Sequence, residues 1–231
     1  KSYKGTAMKD APTRDAYGQA LVDMGADPRI VVLDAGVSDS TRSKKFGDKF
    51  PDRFFNMGIA EADMVCTAAG LATTGKIPFA TGFACFLLGR TMDQVLVSIA
   101  YSNTNVKLVG THTGLSVGED GPSAQMIVDI AYTRAMPNMI VVQPADWEET
   151  IQATKALIDY EGPAYFRLGR PKVKAIFDSS YKFEIGKGRV VKKGSDLVIF
   201  ATGIMVQESL TAMEMLEKDG INVTLVNIST L

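Results

Sequence analysis

The sequence predicts an α/β fold. A doubly wound, mostly parallel sheet is expected over residues 1–171, a linker with a hairpin over 172–196, and the start of a second α/β domain over 197–231. Three observations predict it. Short β-branched runs recur between helix-like stretches of about 10–15 residues, the pattern of right-handed βαβ crossovers. After Arg170-Pro171 the texture changes to a Lys-rich stretch with several glycines. A fresh strand–helix–strand pattern then fills the last part of the chain.

Taken in order, residues 13–25 (TRDAYGQALVDMG) read as a helix with Thr13 as candidate N-cap and Ala16, Ala20 and Leu21 on one face. Ile30-Val31-Val32-Leu33 is the kind of run that a strand covered on both faces needs. Glu61 to Leu71 reads as a helix of small residues, stopped by Gly75 and Pro78. A helix over 91–101, a strand over 106–109, a helix over 127–135 and a strand over 139–142 follow. A helix over 146–160 and a strand over 164–167 complete the first domain. Within the linker, 188–191 is strand-like. Beyond it come a strand over 197–201, an amphipathic helix over 206–218 and a strand over 223–227. Roughly 35 residues cannot bury a core alone, so this unit either packs on the first domain or begins a longer protein.

Composition removes several function classes. The 231 residues carry 25 Lys+Arg against 26 Asp+Glu, a net charge of −1, so no cationic surplus is available to displace phosphate counterions from nucleic acid. With 46% apolar residues the chain has the means to build a core, which excludes disorder. No stretch approaches 18 consecutive apolar residues, so no bilayer span is expected. Lys1-Ser2-Tyr3-Lys4-Gly5 leads into polar sequence and reads as no secretory signal; the missing initiator Met is what a trimmed N-terminus leaves. Cys66 and Cys85 lie in apolar, helix-like surroundings without a second pair, which predicts reduced core thiols and a cytoplasmic protein.

In open parallel sheets ligands bind beyond the carboxyl ends of the strands, so the loops there hold the candidates. Gly58-Ile59-Ala60-Glu61 puts an acid at the start of a helix, a placement that the helix dipole alone explains and that also suits an acid catalyst. The loop GTHTGLSVGEDGP (110–122) carries four glycines, the sole histidine His112, and Glu119 and Asp120. It lacks the Gly-Lys-Ser/Thr of a phosphate loop. Phe83 and Phe86, three apart at the expected start of a helix, would share a face, either as core or as a platform for a flat ring. Arg167-Leu168-Gly169-Arg170-Pro171 ends a strand, where arginines suit phosphate or carboxylate, or a plain surface ion pair.

Together and in this order, GIAEADM (58–64), FACF (83–86), THTGLSVGEDGPSAQ (111–125) and YFRLGRP (165–171) resemble the pyrimidine-binding part of a transketolase, specifically the C-terminal subunit of the split, two-chain kind. The resemblance implies that Glu61 faces N1′ of the aminopyrimidine of thiamine diphosphate. There its shared proton favours the tautomer whose 4′-nitrogen deprotonates thiazolium C2. It implies that Phe83 and Phe86 stack on that ring, that His112 and Asp120 hold sugar hydroxyls, and that Ser40 and Arg170 grip the sugar phosphate. The implied reaction moves a two-carbon ketol unit from a ketose phosphate to an aldose phosphate.

Three places depart from the family's pattern. Ala124 stands where many members carry a phosphate-binding His, with Gln125 as a stand-in; Gly36 stands where an acid is common; and Leu87-Leu88-Gly89 supplies no third aromatic. The Gly-Asp-Gly…Asn motif that binds diphosphate and Mg2+ in the family is missing, since Gly47-Asp48-Lys49 fails at its third position. The resemblance therefore implies half an active site, completed by an N-terminal subunit that holds the magnesium, and self-association into a dimer or α2β2 assembly. Two other readings stand beside it. One is a scaffolding subunit that kept the fold without catalysis. The other is the β subunit of a related thiamine-diphosphate enzyme, a deoxyxylulose-phosphate synthase or a 2-oxoacid dehydrogenase.

Overall fold

The computed structural model describes residues 9–231, so the opening Lys1-Ser2-Tyr3-Lys4-Gly5, read as no secretory signal, lies outside the described residues. Six strands form one parallel sheet in the order β3-β2-β4-β5-β7-β6. They are β2 (Ile30–Asp34), β3 (Phe54–Asn56), β4 (Ile77–Phe83), β5 (Lys107–Thr111), β6 (Ile140–Val142) and β7 (Ala164–Arg167). Every residue of β2 and β5 is buried, as expected of strands covered on both faces. A short strand β1 (Ala11–Pro12) pairs antiparallel with β8 (Lys172–Val173), fastening the start of the domain to the chain leaving it.

Helices close both faces. Against one face lie α4 (Glu61–Ala72), α5 (Ala84–Gly89) and α6 (Met92–Gln94), with Met64, Val65, Leu87, Val95 and Ile99 packed on Leu108 and Tyr165. Against the other lie α1 (Thr13–Met24), α3 (Lys44–Lys49) and α8 (Trp147–Asp159), where Tyr17, Leu21, Phe46 and Leu157 meet Phe79 and Phe166. Truncating a ring as enclosed as Phe79 costs about 3–5 kcal/mol. Two further helices, α2 (Ser38–Thr41) and α7 (Asp129–Arg134), sit in the connections.

Several expectations are corrected in detail. Thr13 is the first helical residue of α1, not its N-cap, because its Oγ1 accepts the Gly169 N–H at 2.8 Å. The helix expected over 91–101 changes pitch, running as α6 and then as a π-helix over Val95–Tyr101. Cys66 is exposed and Cys85 partly buried, and both are free. The buried stripe of α4 is Glu61, Met64, Val65, Ala68 and Ala69, and residue 66 falls off that stripe, so Cys66 is no core thiol. Asp48 of the imperfect Gly-Asp motif is in α3, paired at 3.1 Å with Lys44 one turn away.

The second unit is a three-stranded sheet in the order β10-β11-β9, from β9 (Arg189–Lys192), β10 (Leu197–Ala201) and β11 (Val223–Asn227), with α9 (Met205–Lys218) crossing between β10 and β11. The linker hairpin does not form. Val190 pairs antiparallel with Val226, and Lys172 pairs with Pro12, so each strand-like piece finds a distant partner. The unit packs on the first domain through buried carboxylates of the α8 region. Glu149 accepts hydrogen bonds from the Ala145 N–H (2.7 Å), the Tyr181 hydroxyl (2.6 Å) and Asn227 Nδ2 (2.9 Å). Asp146 caps α8 with one oxygen and takes the Ile176 and Phe177 N–H groups with the other. Among the described residues no helix is long and apolar enough to cross a membrane.

Candidate active site at the carboxyl ends of the sheet

The chain leaves β2 toward β3 on one side and returns to β4 on the other, so a crevice opens where the strand order reverses. The ends of β2, β3, β4 and β5 deliver the candidate residues to it.

From the end of β3 the chain turns through Gly58 and begins α4 at Glu61. Glu61 is only 6% exposed, whereas an acid that merely met the helix dipole would sit in water. Each of its carboxylate oxygens lies 3.2 Å from Nη1 of Arg90, and the Arg90 guanidinium carbon lies 4.3 Å from the centre of the Phe86 ring. Phe83 is the last residue of β4, one position ahead of α5, so the two phenylalanines do not share a helix face as expected. Their rings nonetheless stack, 6.2 Å apart at 22°. Phe83 in turn covers the His112 ring at 3.9 Å. Arg90 thus links Glu61 to a series of rings that runs from Phe86 through Phe83 to His112.

His112 follows β5 with a left-handed backbone (φ 57°), an uncommon conformation for a residue other than glycine. Its Nδ1 lies 2.9 Å from the Thr111 hydroxyl, its Nε2 3.1 Å from Arg14 Nη1 and 3.9 Å from Asp120 Oδ2. Burial, and after it the cation of Arg14, push the His112 pKa down to about 4, so the ring is neutral near pH 7. Arg170 donates to the Val117 carbonyl and, at 3.0 Å, to Glu119, while its Nε lies 3.8 Å from Asp120. The structure therefore brings His112, Asp120 and Arg170 together. Gly118 (φ 82°) permits this: a Cβ there would fall 2.5 Å from Arg170 Nη1.

Ser40 joins the cluster through its carbonyl, which accepts Arg14 Nη1 at 2.9 Å. Gln125 does not: its Nε2 donates to the Leu115 carbonyl at 3.1 Å, inside its own loop, beside the buried Ala124. Gly36 (φ 79°) lets the loop after β2 pass the loop after β3, since a Cβ there would meet Gly58 at 3.3 Å. Among the described residues no group of three His, Cys, Asp or Glu side chains is placed to hold a metal ion.

Sequence reasoning missed two residues. Arg14 links Ser40 to His112, and its Nε is buried without a hydrogen-bond partner. The available signal was its sign: a cation in the first turn of a helix opposes the dipole and calls for another explanation. Asp34, fully buried at the end of β2, accepts the Val37 N–H and the Thr41 and Ser43 hydroxyls at 2.7–2.8 Å, which fixes the turn that presents Ser40. Burial raises its pKa, opposed by those hydrogen bonds.

Comparison with known proteins adds family to geometry. Residues 9–175 match the family described as transketolase, pyrimidine binding domain, and residues 186–231 match transketolase, C-terminal domain. A protein of Methanocaldococcus jannaschii described as a transketolase C-terminal section is 45% identical, over 94% of this chain and 70% of that one. The 6-deoxy-6-sulfo-D-fructose transketolase subunit of a Clostridium species is 37% identical, over 94% of this chain and 68% of its own. Among solved structures, a split-gene transketolase described as an inactive β4 tetramer superposes with a TM-score of 0.88 at 46% identity, covering 96% of this chain and 73% of the other.

Proposed function

The chain belongs to the transketolase family, and from that premise we propose that it is the pyrimidine-binding half of a two-chain transketolase. In this reading it works in the cytoplasm, paired with an N-terminal subunit that carries the diphosphate and Mg2+ ligands and self-associated as a dimer or α2β2 assembly. The reaction is transfer of a two-carbon ketol unit from a ketose phosphate to an aldose phosphate.

When bound, thiamine diphosphate supplies an acidic thiazolium carbon that attacks the ketose carbonyl. The residues of this chain suit the pyrimidine end of that cofactor. A buried carboxyl at Glu61 is placed to hold a proton at a ring nitrogen, and the stacked Phe83 and Phe86 offer a flat apolar face that excludes water. Neutral His112 lies beside Asp120 with Nε2 accepting from Arg14, so contact between Nε2 and a sugar hydroxyl requires Arg14 to turn away toward the terminal anion. Arg14, held by the Ser40 carbonyl, and Arg170 present donors for a terminal anion. The burial of Glu61, joined through Arg90 to the Phe86 ring, is the single observation that carries the reading.

The terminal anion admits a second reading, as sulfonate in place of phosphate. Arginine donors serve any tetrahedral oxyanion, and the Clostridium relative is a subunit for a sulfo-sugar. The inactivity of the solved β4 neighbour accords with a chain that is silent without its partner.

The test is reconstitution. The chain alone, supplied with thiamine diphosphate and Mg2+, is expected to turn over no xylulose 5-phosphate with ribose 5-phosphate. Mixed with a chain bearing Gly-Asp-Gly…Asn it is expected to do so, and Glu61→Gln to reduce that rate by at least ~100-fold. Full activity in Glu61→Gln would sink the assignment.

A further inference from the structure

In the free chain, a single planar cation already makes both contacts that the proposed pyrimidine seat has to offer. Arg90 sets Nη1 3.2 Å from each oxygen of Glu61 and its guanidinium carbon 4.3 Å from the centre of the Phe86 ring. A guanidinium and an aminopyrimidine protonated at its ring nitrogen share the relevant chemistry: each is a flat, delocalised cation with an in-plane N–H for a carboxylate and a face for an aromatic ring.

The two sides of this contact differ in freedom. The Glu61 side chain is 7% exposed, and Met64 and Val65, one turn further along α4, are packed into the core. The Arg90 side chain is 51% exposed and follows the last residue of α5, so it can swing into water while Glu61 and Phe86 stay where they are.

We infer that Arg90 is a resident placeholder in the pyrimidine seat. It satisfies the buried carboxylate and steadies the Phe86 ring in the free chain, and the ring of the cofactor enters by displacing it. The inference rests on the proposed roles of Glu61 and Phe86. Leaving Glu61 buried with no counter-group would be costly, so the seat is kept formed by a group that can leave. Ring binding then competes with an intramolecular contact, and the observed affinity is lowered by the fraction of time Arg90 occupies the seat.

The experiment titrates the intact chain with 4-amino-2-methylpyrimidine, read by ligand-observed NMR, with Arg90→Ala, Arg90→Lys, Phe86→Ala and Glu61→Ala alongside. Thermal melts confirm that each variant folds. Arg90→Ala is expected to bind the probe roughly tenfold more tightly than the parent, from loss of one partly exposed ion pair and one cation–π contact. Arg90→Lys, which keeps the charge and loses the flat stack, is expected to fall between the two. Equal or weaker binding by Arg90→Ala overturns the placeholder. If in that case Phe86→Ala and Glu61→Ala still abolish binding, the pyrimidine seat itself stands. Binding that survives both of those changes, or is absent from every form, overturns the seat and the placeholder together.

Discussion

Nη1 of Arg14 lies 3.1 Å from Nε2 of His112. A guanidinium can only donate, so His112 must present Nε2 as an acceptor and carry its proton on Nδ1, toward the Thr111 hydroxyl at 2.9 Å. The His112 ring is thereby held in one tautomer by a residue 98 positions away in the sequence.

The first prediction follows from that ring. Titration of His112 by NMR should give a pKa near 4, far below the ordinary 6.5, and Arg14→Met should raise it. The unfolded chain takes up this proton below about pH 6.5, while the native chain refuses it until about pH 4. His112 therefore favours folding above pH 6.5 and loses that contribution as pH falls toward 4. Denaturant melts across this window should show less pH dependence in His112→Asn than in the parent; identical slopes would contradict the argument.

Anion binding can be separated from chemistry. Removing either Arg14 or Arg170 from the reconstituted enzyme should raise KM for a phosphorylated ketose by about 10–100-fold, the loss of one or two charge-assisted hydrogen bonds. An unphosphorylated ketol donor should be affected far less, and kcat should change little. Equal losses on both donors would place these arginines elsewhere in the reaction.

Asp129 is a structural carboxylate, and its removal tests the frame around the site. It accepts Arg167 Nε and the Tyr165 hydroxyl, each at 2.7 Å, and is itself fully buried. Asp129→Ala strands the Arg167 guanidinium beneath the glycine-rich loop and should cost about 3–5 kcal/mol in denaturant unfolding. A cost under ~1 kcal/mol would mean that water reaches the pair.

Glu149 joins the two units, so Glu149→Gln should loosen one from the other. The new amide nitrogen stands either where Oε2 accepts the Ala145 N–H or where Oε1 accepts the Tyr181 hydroxyl and the Asn227 amide, so at least one of these hydrogen bonds is lost or reversed at about 1–3 kcal/mol. Limited proteolysis should then cut the segment between Arg170 and Arg189 faster than in the parent. Unchanged cleavage would show that the junction is held by its other contacts, the Asp146 hydrogen bonds among them.

What was legible in the sequence, and what was not, divides along local against distant causes. The run Ile30-Val31-Val32-Leu33 announces a strand covered on both faces, because burial of consecutive residues is written locally. The partner of Val190 is not written there. Its edge is satisfied by Val226, and a nearby strand-like piece made a hairpin the natural guess. Glu61, Phe83, Phe86, His112, Asp120 and Arg170 all fall at or just beyond the carboxyl ends of strands, in loops or the first turns of the helices that follow, where glycine density and residue type mark them. Arg14 lies in an ordinary helical pattern, and only its wrong-signed position distinguishes it. Gln125 shows the opposite case. Its place in the motif suggested a ligand, while its amide is used up by the Leu115 carbonyl ten residues back.

The near contact between Gly118 and Arg170 has a consequence for how this sequence can drift. Any side chain at position 118 intrudes on the space of the Arg170 guanidinium, and the left-handed backbone there penalises it a second time. A mutation at one position changes what the other can be, although 52 residues separate them. In a set of related genes glycine should persist at 118 for its backbone even where the arginine has gone, and where another residue replaces it the tip of the Arg170 side chain must take a different course.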